Sequence, residues 1–260
     1  MKNLFNVIVI VLALAIAYTI YFGIMGNPEG FKDGVQRHEP KPGNVLATIY
    51  TGGPLVGLLM SLIIIAITFS FERWFSINKA RGKGDVPQFI KKVQDNLVKG
   101  ELDEAIAQCD KQRGSVANVL RAAIERFKEV ENDPEFGPDK KISEVQRAID
   151  EAVNLETPLL EKNLVVLSTV SSIAVLVGLL GTTIGMIRAF QALAVSGTVS
   201  AIQLSIGISE ALYNTAGGLI GAIIAIVAFN FFTTKVDSFV YMIDEAILNV
   251  TQILTIRAKK

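Results

Sequence analysis

Four long apolar runs dominate the chain, at about Leu4–Met25, Gly52–Phe71, Asn163–Ile187 and Ala211–Thr234, and none contains a charged residue. A bilayer core about 30 Å thick asks for roughly 20 apolar residues at 1.5 Å of rise each. The runs lack the period-two alternation of barrel strands, and backbone amides in lipid must bond within their own segment. The pattern therefore predicts an all-α fold: a polytopic helical membrane protein whose long helices extend into a cytoplasmic helical bundle. It divides the chain into an N-terminal transmembrane helix or uncleaved signal-like anchor (1–26), a periplasmic loop (27–51) and a transmembrane helix (52–74). A cytoplasmic helical domain (75–162), a transmembrane helix (163–187) and a short periplasmic connection (188–208) follow. The last transmembrane helix (209–234) leads into a cytoplasmic C-terminal helix (235–260).

The first run has two readings. Lys2, an apolar stretch and the small residues Ala13, Ala15 and Ala17 resemble a signal peptide. The run continues through Tyr18–Phe22, longer than a cleaved signal core, which favours an uncleaved helix. Basic residues set the orientation. Arg73, Lys79, Arg81 and Lys83 follow the second run, and Lys235, Arg257, Lys259 and Lys260 follow the fourth, whereas only Arg188 lies between the third and fourth. The central domain and the C-terminus are thus expected in the cytoplasm, with Trp74 as an interfacial anchor.

Residues 72–162 read as short helices. Asp85 and Pro87 open one, and Phe89, Ile90, Val93 and Leu97 recur along it until Gly100. Leu102, Ile106 and Cys109 mark a second; Val116, Val119, Leu120, Ala123, Ile124 and Phe127 mark a third. After the break at 132–138, Val145, Ile149, Val153 and Leu155 form the apolar side of a helix expected to run on into the third span, kinked at Pro158.

Half the residues are hydrophobic and the mean hydropathy is +0.43, more apolar than a soluble domain. Lys+Arg and Asp+Glu each number 25, so nothing in the charge asks for nucleic acid. The single Cys109 allows no intrachain disulfide, and the single His38, in a polar loop, makes no metal site and is at most a pH switch. The central segment has no glycine-rich phosphate loop, paired metal ligands or Ser/His/Asp arrangement, which points to a packing and oligomerising bundle rather than an enzyme, with no cofactor and no metal.

Candidate chemistry is confined to the last two spans. Gly178, Gly181 and Gly185 recur along one helix and permit close backbone approach. Glu210 is the only charged residue between Arg188 and Lys235, with Asn214, Gly217, Gly221, Ala225 and Ala228 near its helical face. A carboxylate facing lipid costs at least a few kcal/mol if it is deep, so it should face protein or water. Burial disfavours the charged form of a carboxyl group, which is what lets such a group exchange protons. A solvated acid at a helix start, beside Gln203, Ser205 and Ser209, is the alternative. Thr182 and Thr215 add hydroxyls to a polar path, but Thr215 lies about 140° round an ideal helix from Glu210, so neighbouring subunits are expected to complete it.

Gly178-Leu179-Leu180-Gly181-Thr182-Thr183-Ile184-Gly185-Met186 resembles a motif block of the MotA/TolQ/ExbB proton channel family. Residues 207–219, Gly-Ile-Ser-Glu-Ala-Leu-Tyr-Asn-Thr-Ala-Gly-Gly-Leu, look like its G-I-A-E-A-L-x-x-T-A-x-G-L signature, and Ala228-Phe229-Asn230-Phe231-Phe232 is similar to the end of that helix. The resemblance covers the chain from about residue 50 and is closest to ExbB, the biopolymer transport protein. It implies pore roles for Glu210, Thr182 and Thr215, a homo-oligomer (a pentamer) in the bacterial inner membrane, and an ExbD-like single-span partner bringing a membrane aspartate. A TonB-like periplasm-spanning protein would couple proton motive force to outer-membrane import. A TolQ-like role in envelope maintenance, a stator for another envelope machine and a structural membrane scaffold are the alternatives. Three features depart from the family pattern: the additional first span, Ala222-Ile223-Ile224-Ala225 where many relatives carry a proline, and the polar Tyr213-Asn214 beside the acid.

Overall fold

The structure is a computed structural model that describes residues 2–32, 34, 39–196 and 201–259; His38 and part of the expected 188–208 connection lie outside the described residues. The helices are α1 (Lys2–Thr19), continued by a π-helical turn (Ile20–Met25), α2 (Val45–Tyr50), α3 (Pro54–Arg81), α4 (Val86–Lys99) and α5 (Leu102–Gln112). They continue with α6 (Ser115–Glu131), α7 (Pro138–Glu161), α8 (Leu164–Ser196) and α9 (Ala201–Ala258). Among the described residues, four helical stretches are long and apolar enough to cross a membrane: Asn6–Met25, Pro54–Lys99, Pro138–Leu193 and Leu204–Ala258. The fold is that of an all-α polytopic membrane protein. It divides into two units, Met1–Phe71 with Asn163–Asn230, and Glu72–Lys162 with Phe231–Lys260.

In the first unit, α1 and its π-helical turn bury one stripe, Ala13, Ala17, Tyr21 and Met25, each four residues after the last. Val7, Val11, Leu12 and Ile16 stay exposed, as a lipid-facing surface would. Tyr21 stacks on Tyr50 at 4.5 Å, and its hydroxyl donates to the Tyr50 carbonyl at 3.2 Å. Tyr18 covers Gly57 so closely that a Cβ there would lie 2.9 Å from the ring. At the other end of α1, the Asn6 amide donates to Asn163 Oδ1 at 3.0 Å.

The expected continuous helix through 162 is interrupted, and the interruption is not at Pro158. Pro158 sits inside α7, which ends at Glu161. Asn163 then takes a left-handed backbone (φ +64°), and its carbonyl accepts the first bond of α8 from the Val166 amide at 3.1 Å. After glycine, asparagine tolerates this conformation best, which locates the break. The expected connection at 188–208 is largely helical, since α8 runs to Ser196 and α9 starts at Ala201.

The second unit is built on α4–α7. Gly100, at φ +89°, ends α4 in the left-handed conformation, with the Gly100 and Glu101 amides donating to Leu97 and Asn96 carbonyls. The apolar positions read from the sequence on α4 to α6 are buried, Ile90 and Ile106 in part. On α7, Val145 and Ile149 are buried but Leu155 is 72% exposed, a correction to the predicted apolar side. Six residues beyond Ile149, Leu155 lies about 120° round the helix from that face. Arg73 is fully buried: its guanidinium donates to the Leu160 carbonyl at 3.2 Å, in the last turn of α7, and pairs with Glu72 at 2.5 Å. Trp74 stacks with Phe231 at 6.4 Å.

Charge in this unit has two measurable consequences. Burial, reinforced by the Asp110 carboxylate, pushes the Cys109 thiol up to about 12. At pH 8 only about one Cys109 in ten thousand is then thiolate. Iodoacetamide should leave the native protein unmodified and label it after denaturation; equal labelling of both would contradict this burial. Arg126 bonds Glu144 at 2.5 Å and Glu129 at 2.8 Å, and its hydrogen bond holds the Glu144 carboxyl below the usual range. A depressed carboxyl stabilises the fold above its unfolded value, near 4.3, and that contribution is lost as the pH falls through the folded value. Melting of the detergent-solubilised protein between pH 7 and 3 should show this decline, and Arg126→Ala should flatten it.

Candidate functional site

The site is built on the antiparallel pair α8 and α9, which approach through residues without side chains. A Cβ added at Gly181 would overlap Asn214 Cβ and lie 2.6 Å from Asn214 Cγ, and one at Gly185 would lie 2.7 Å from the Gly207 carbonyl oxygen and the Ala211 amide. One at Gly218 would lie 2.6 Å from the Ala174 carbonyl and 2.8 Å from Gly178 Cα. Such backbone contact is how membrane helices associate where lipid is as apolar as the side chains. Gly217 faces α3, with Leu59 3.3 Å from a built Cβ, and Gly221 sits between α3 and α8, 3.3 Å from Ile63 and 3.5 Å from Ala174.

Two polar pairs flank this seam. Thr182 and Thr215 place their hydroxyl oxygens 2.7 Å apart, and each is 3.2 Å from the carbonyl four residues earlier on its own helix, Gly178 or Ala211. Two hydroxyl protons therefore have two ordered arrangements. Either Thr182 donates to Thr215, which donates to Ala211, or Thr215 donates to Thr182, which donates to Gly178. A hydroxyl both donates and accepts, so the chain of bonds can reverse direction, as a proton relay requires. Both residues are half-buried.

The second pair joins Glu210 to Arg188, whose Nη1 donates to Glu210 Oε1. The Glu210 side chain is 7% exposed and that of Arg188 46%. Glu210 is thus a buried acid with a cation for a partner, well inside α9, rather than a solvated acid at a helix start. Asn214 is completely buried; its Nδ2 donates to the Gly52 carbonyl at 2.7 Å and the Glu210 carbonyl at 2.9 Å, while its Oδ1 has no hydrogen-bond partner. A buried acceptor without a donor is uncommon in folded proteins.

The structure brings the two threonines together within one chain. Among the described residues no hydrogen bond joins Glu210 to either of them. Along the helices the two pairs are about 8 Å apart at 1.5 Å per residue. Sequence reasoning missed Arg188 as the partner of Glu210, and missed Gly207 and Gly218 in the seam. The signal for Arg188 was its being the nearest charge to a lone acid between two apolar runs, where an ionised group needs a counter-charge.

Residues 89–245 match the MotA/TolQ/ExbB proton channel family. The chain belongs to that family. It is 36% identical over 120 residues to the Tol-Pal system protein TolQ of Pseudomonas aeruginosa, covering 46% of this chain and 52% of that protein. With TolQ of Haemophilus influenzae it shares 30% over 182 residues, 68% of this chain and 80% of the relative. With the biopolymer transport protein ExbB of Xanthomonas campestris it shares 42% over 94 residues, 36% and 37% of the two chains. The chain thus spans about half the length of the Pseudomonas protein and more than a third of the Xanthomonas one. The matched region contains all of α8 and both polar pairs. The family is one of membrane channel subunits, and four spans of sufficient length and apolarity make this chain a multi-pass member.

Proposed function

We propose that the chain is an ExbB-like subunit of an inner-membrane motor that couples proton motive force to outer-membrane import. In this reading five copies surround an ExbD-like single-span partner with a membrane aspartate, and a TonB-like protein carries the output across the periplasm. The residue 72–162 segment and the C-terminus are cytoplasmic, and the 27–51 loop is periplasmic. Thr182, Thr215 and Glu210 line the proton path, and the partner's acid is the main carrier. The observation that carries this reading is the Thr182–Thr215 hydroxyl pair, reversible by geometry and half-exposed, on the helix pair that also holds a buried acid. Each proton crossing releases about 2.3 kcal/mol per 100 mV, enough to drive relative motion of ring and partner.

The reading is tested in proteoliposomes holding the chain and its co-expressed single-span partner, with an internal pH dye. An imposed potential should acidify the lumen at a rate that Thr182→Val lowers several-fold and Thr182→Ser preserves, because serine keeps the hydroxyl. Equal rates for the valine and serine variants would remove the threonine pair from the path. The similarity to two TolQ proteins supports a second reading, a TolQ-like subunit for envelope maintenance. Restoring growth on scarce iron to a strain lacking ExbB, and not detergent resistance to a strain lacking TolQ, separates the two.

A further inference from the structure

The second unit holds a cavity of about 610 Å3 where the C-terminal ends of α4, α6 and α9 come together beside the start of α7. That volume lies within the range of about 300–1,000 Å3 typical of ligand sites. Leu97 and Phe127 form its buried apolar wall. Val98 and Ile256 also line it but are 74% and 64% exposed, so apolar surface remains uncovered there.

The charge around the cavity is unbalanced. Lys99, Lys141 and Arg257 line it against one carboxylate, Glu131. That carboxylate is already bound by Arg257 at 2.5 Å, while Lys141 donates to the Glu131 main-chain carbonyl. Among the described residues no carboxylate pairs with Lys99. Cations at helix C-termini offset the helix dipole, which accounts for Lys99 and Arg257 separately. Lys141, in the first turn of α7, caps the last carbonyl of α6 in the same way, but the two uncovered aliphatic side chains in the same cavity are left without an account. Ile256 is also about 32 Å along α9 from Lys235, the basic residue that closes the apolar run, so the cavity is beyond the reach of head groups at Lys235.

We propose that this cavity docks an acidic amphipathic segment of a partner protein. The segment's apolar residues fill the space between Leu97, Phe127 and Ile256, and its carboxylates meet Lys99 and Lys141. The arrangement is the helix-in-groove mode, with charge fixing the choice of partner. It is independent of the proton reading, because none of these residues belongs to the α8–α9 site.

The test uses the full chain in detergent and a fluorescent helical peptide with leucines on one face flanked by glutamates; a control carries lysines in place of the glutamates. Fluorescence anisotropy should show saturable binding of the acidic peptide alone. Lys99→Glu combined with Val98→Asp, both outside the bundle core, should weaken it about tenfold or more, roughly 1.4 kcal/mol. Equal binding of both peptides, or an unaffected double variant, would overturn the proposal. Phosphatidylglycerol vesicles should not distinguish wild type from the double variant; if they do and the peptide does not bind, the site is for lipid and the proposal fails. A photocrosslinker at Val98 that joins two copies of this chain would also overturn it, by making the cavity a contact between copies.

Discussion

Glu210→Gln, reconstituted with the proposed single-span partner, is expected to lower potential-driven proton uptake at least about tenfold, and adding Arg188→Gln is expected not to restore it. Arg188 sets the structural cost. Removing one member of a fully buried ion pair costs about 3–5 kcal/mol, because the other charge is left stranded. The Arg188 side chain is 46% exposed, so it is not stranded in a closed core, and the expected destabilisation of Glu210→Gln falls below that range. The complex should still assemble. The double variant removes both charges and should recover whatever stability the single variant lost. If the pair only holds α8 to α9, function returns with stability. If Glu210 handles protons, stability returns and uptake does not. Size-exclusion profiles report the first quantity and dye-monitored uptake the second. Full uptake by the double variant would reduce Glu210 to a structural residue.

The second large effect is expected at Gly181. A valine there drives its Cβ into Asn214 Cβ and to within 2.6 Å of Asn214 Cγ, with helix backbone on either side. Neither helix can yield without opening contacts at Gly178 and Gly185. Overpacking of this kind costs about 1–3 kcal/mol, and more when backbone must move. It also tears the Asn214 amide from the Gly52 carbonyl, which joins α9 to the chain just before α3. Gly181→Val should therefore abolish a folded, detergent-stable protein, read as aggregation on size exclusion. Gly217→Ala is the control, because its nearest neighbour is the flexible end of Leu59 at 3.3 Å, and it should fold normally. If both variants fold equally well, the close approach of α8 and α9 is wrong.

The four spans were legible because little besides a membrane helix calls for an uncharged run of bilayer length, and Glu210 because a lone acid in such a run is conspicuous. Thr182 and Thr215 were legible as hydroxyls that could extend a polar path, and motif resemblance added the pore role. What stayed illegible depended on where helices end and how they rotate. Arg188 reads as a loop cation because the uncharged run ends at Ile187, whereas Ala189-Phe190-Gln191-Ala192-Leu193 carries α8 onward to Ser196. The helical wheel centred on Glu210 picked Gly217, about 20° from the acid, and passed over Gly218, about 80° away. The facing helix lies on the Gly218 side. Pro158 drew attention from Asn163 because a proline is a louder breaker than an asparagine, yet the chain turns where the backbone goes left-handed.

The way α1 is attached bears on how such a protein is put together over evolutionary time. Its four-residue stripe meets the rest of its unit through alanines, aromatic rings and Met25, with no glycine-to-glycine approach like that of α8 and α9. An element held on the rim in this way is separable: it can be gained or lost as a module without reshaping the seam that carries the polar pairs. The scar of its loss would fall where Tyr21 and Met25 close a buried cluster with Phe31, Ala47, Tyr50 and Val56, and at Asn163, the partner of Asn6, rather than along the seam.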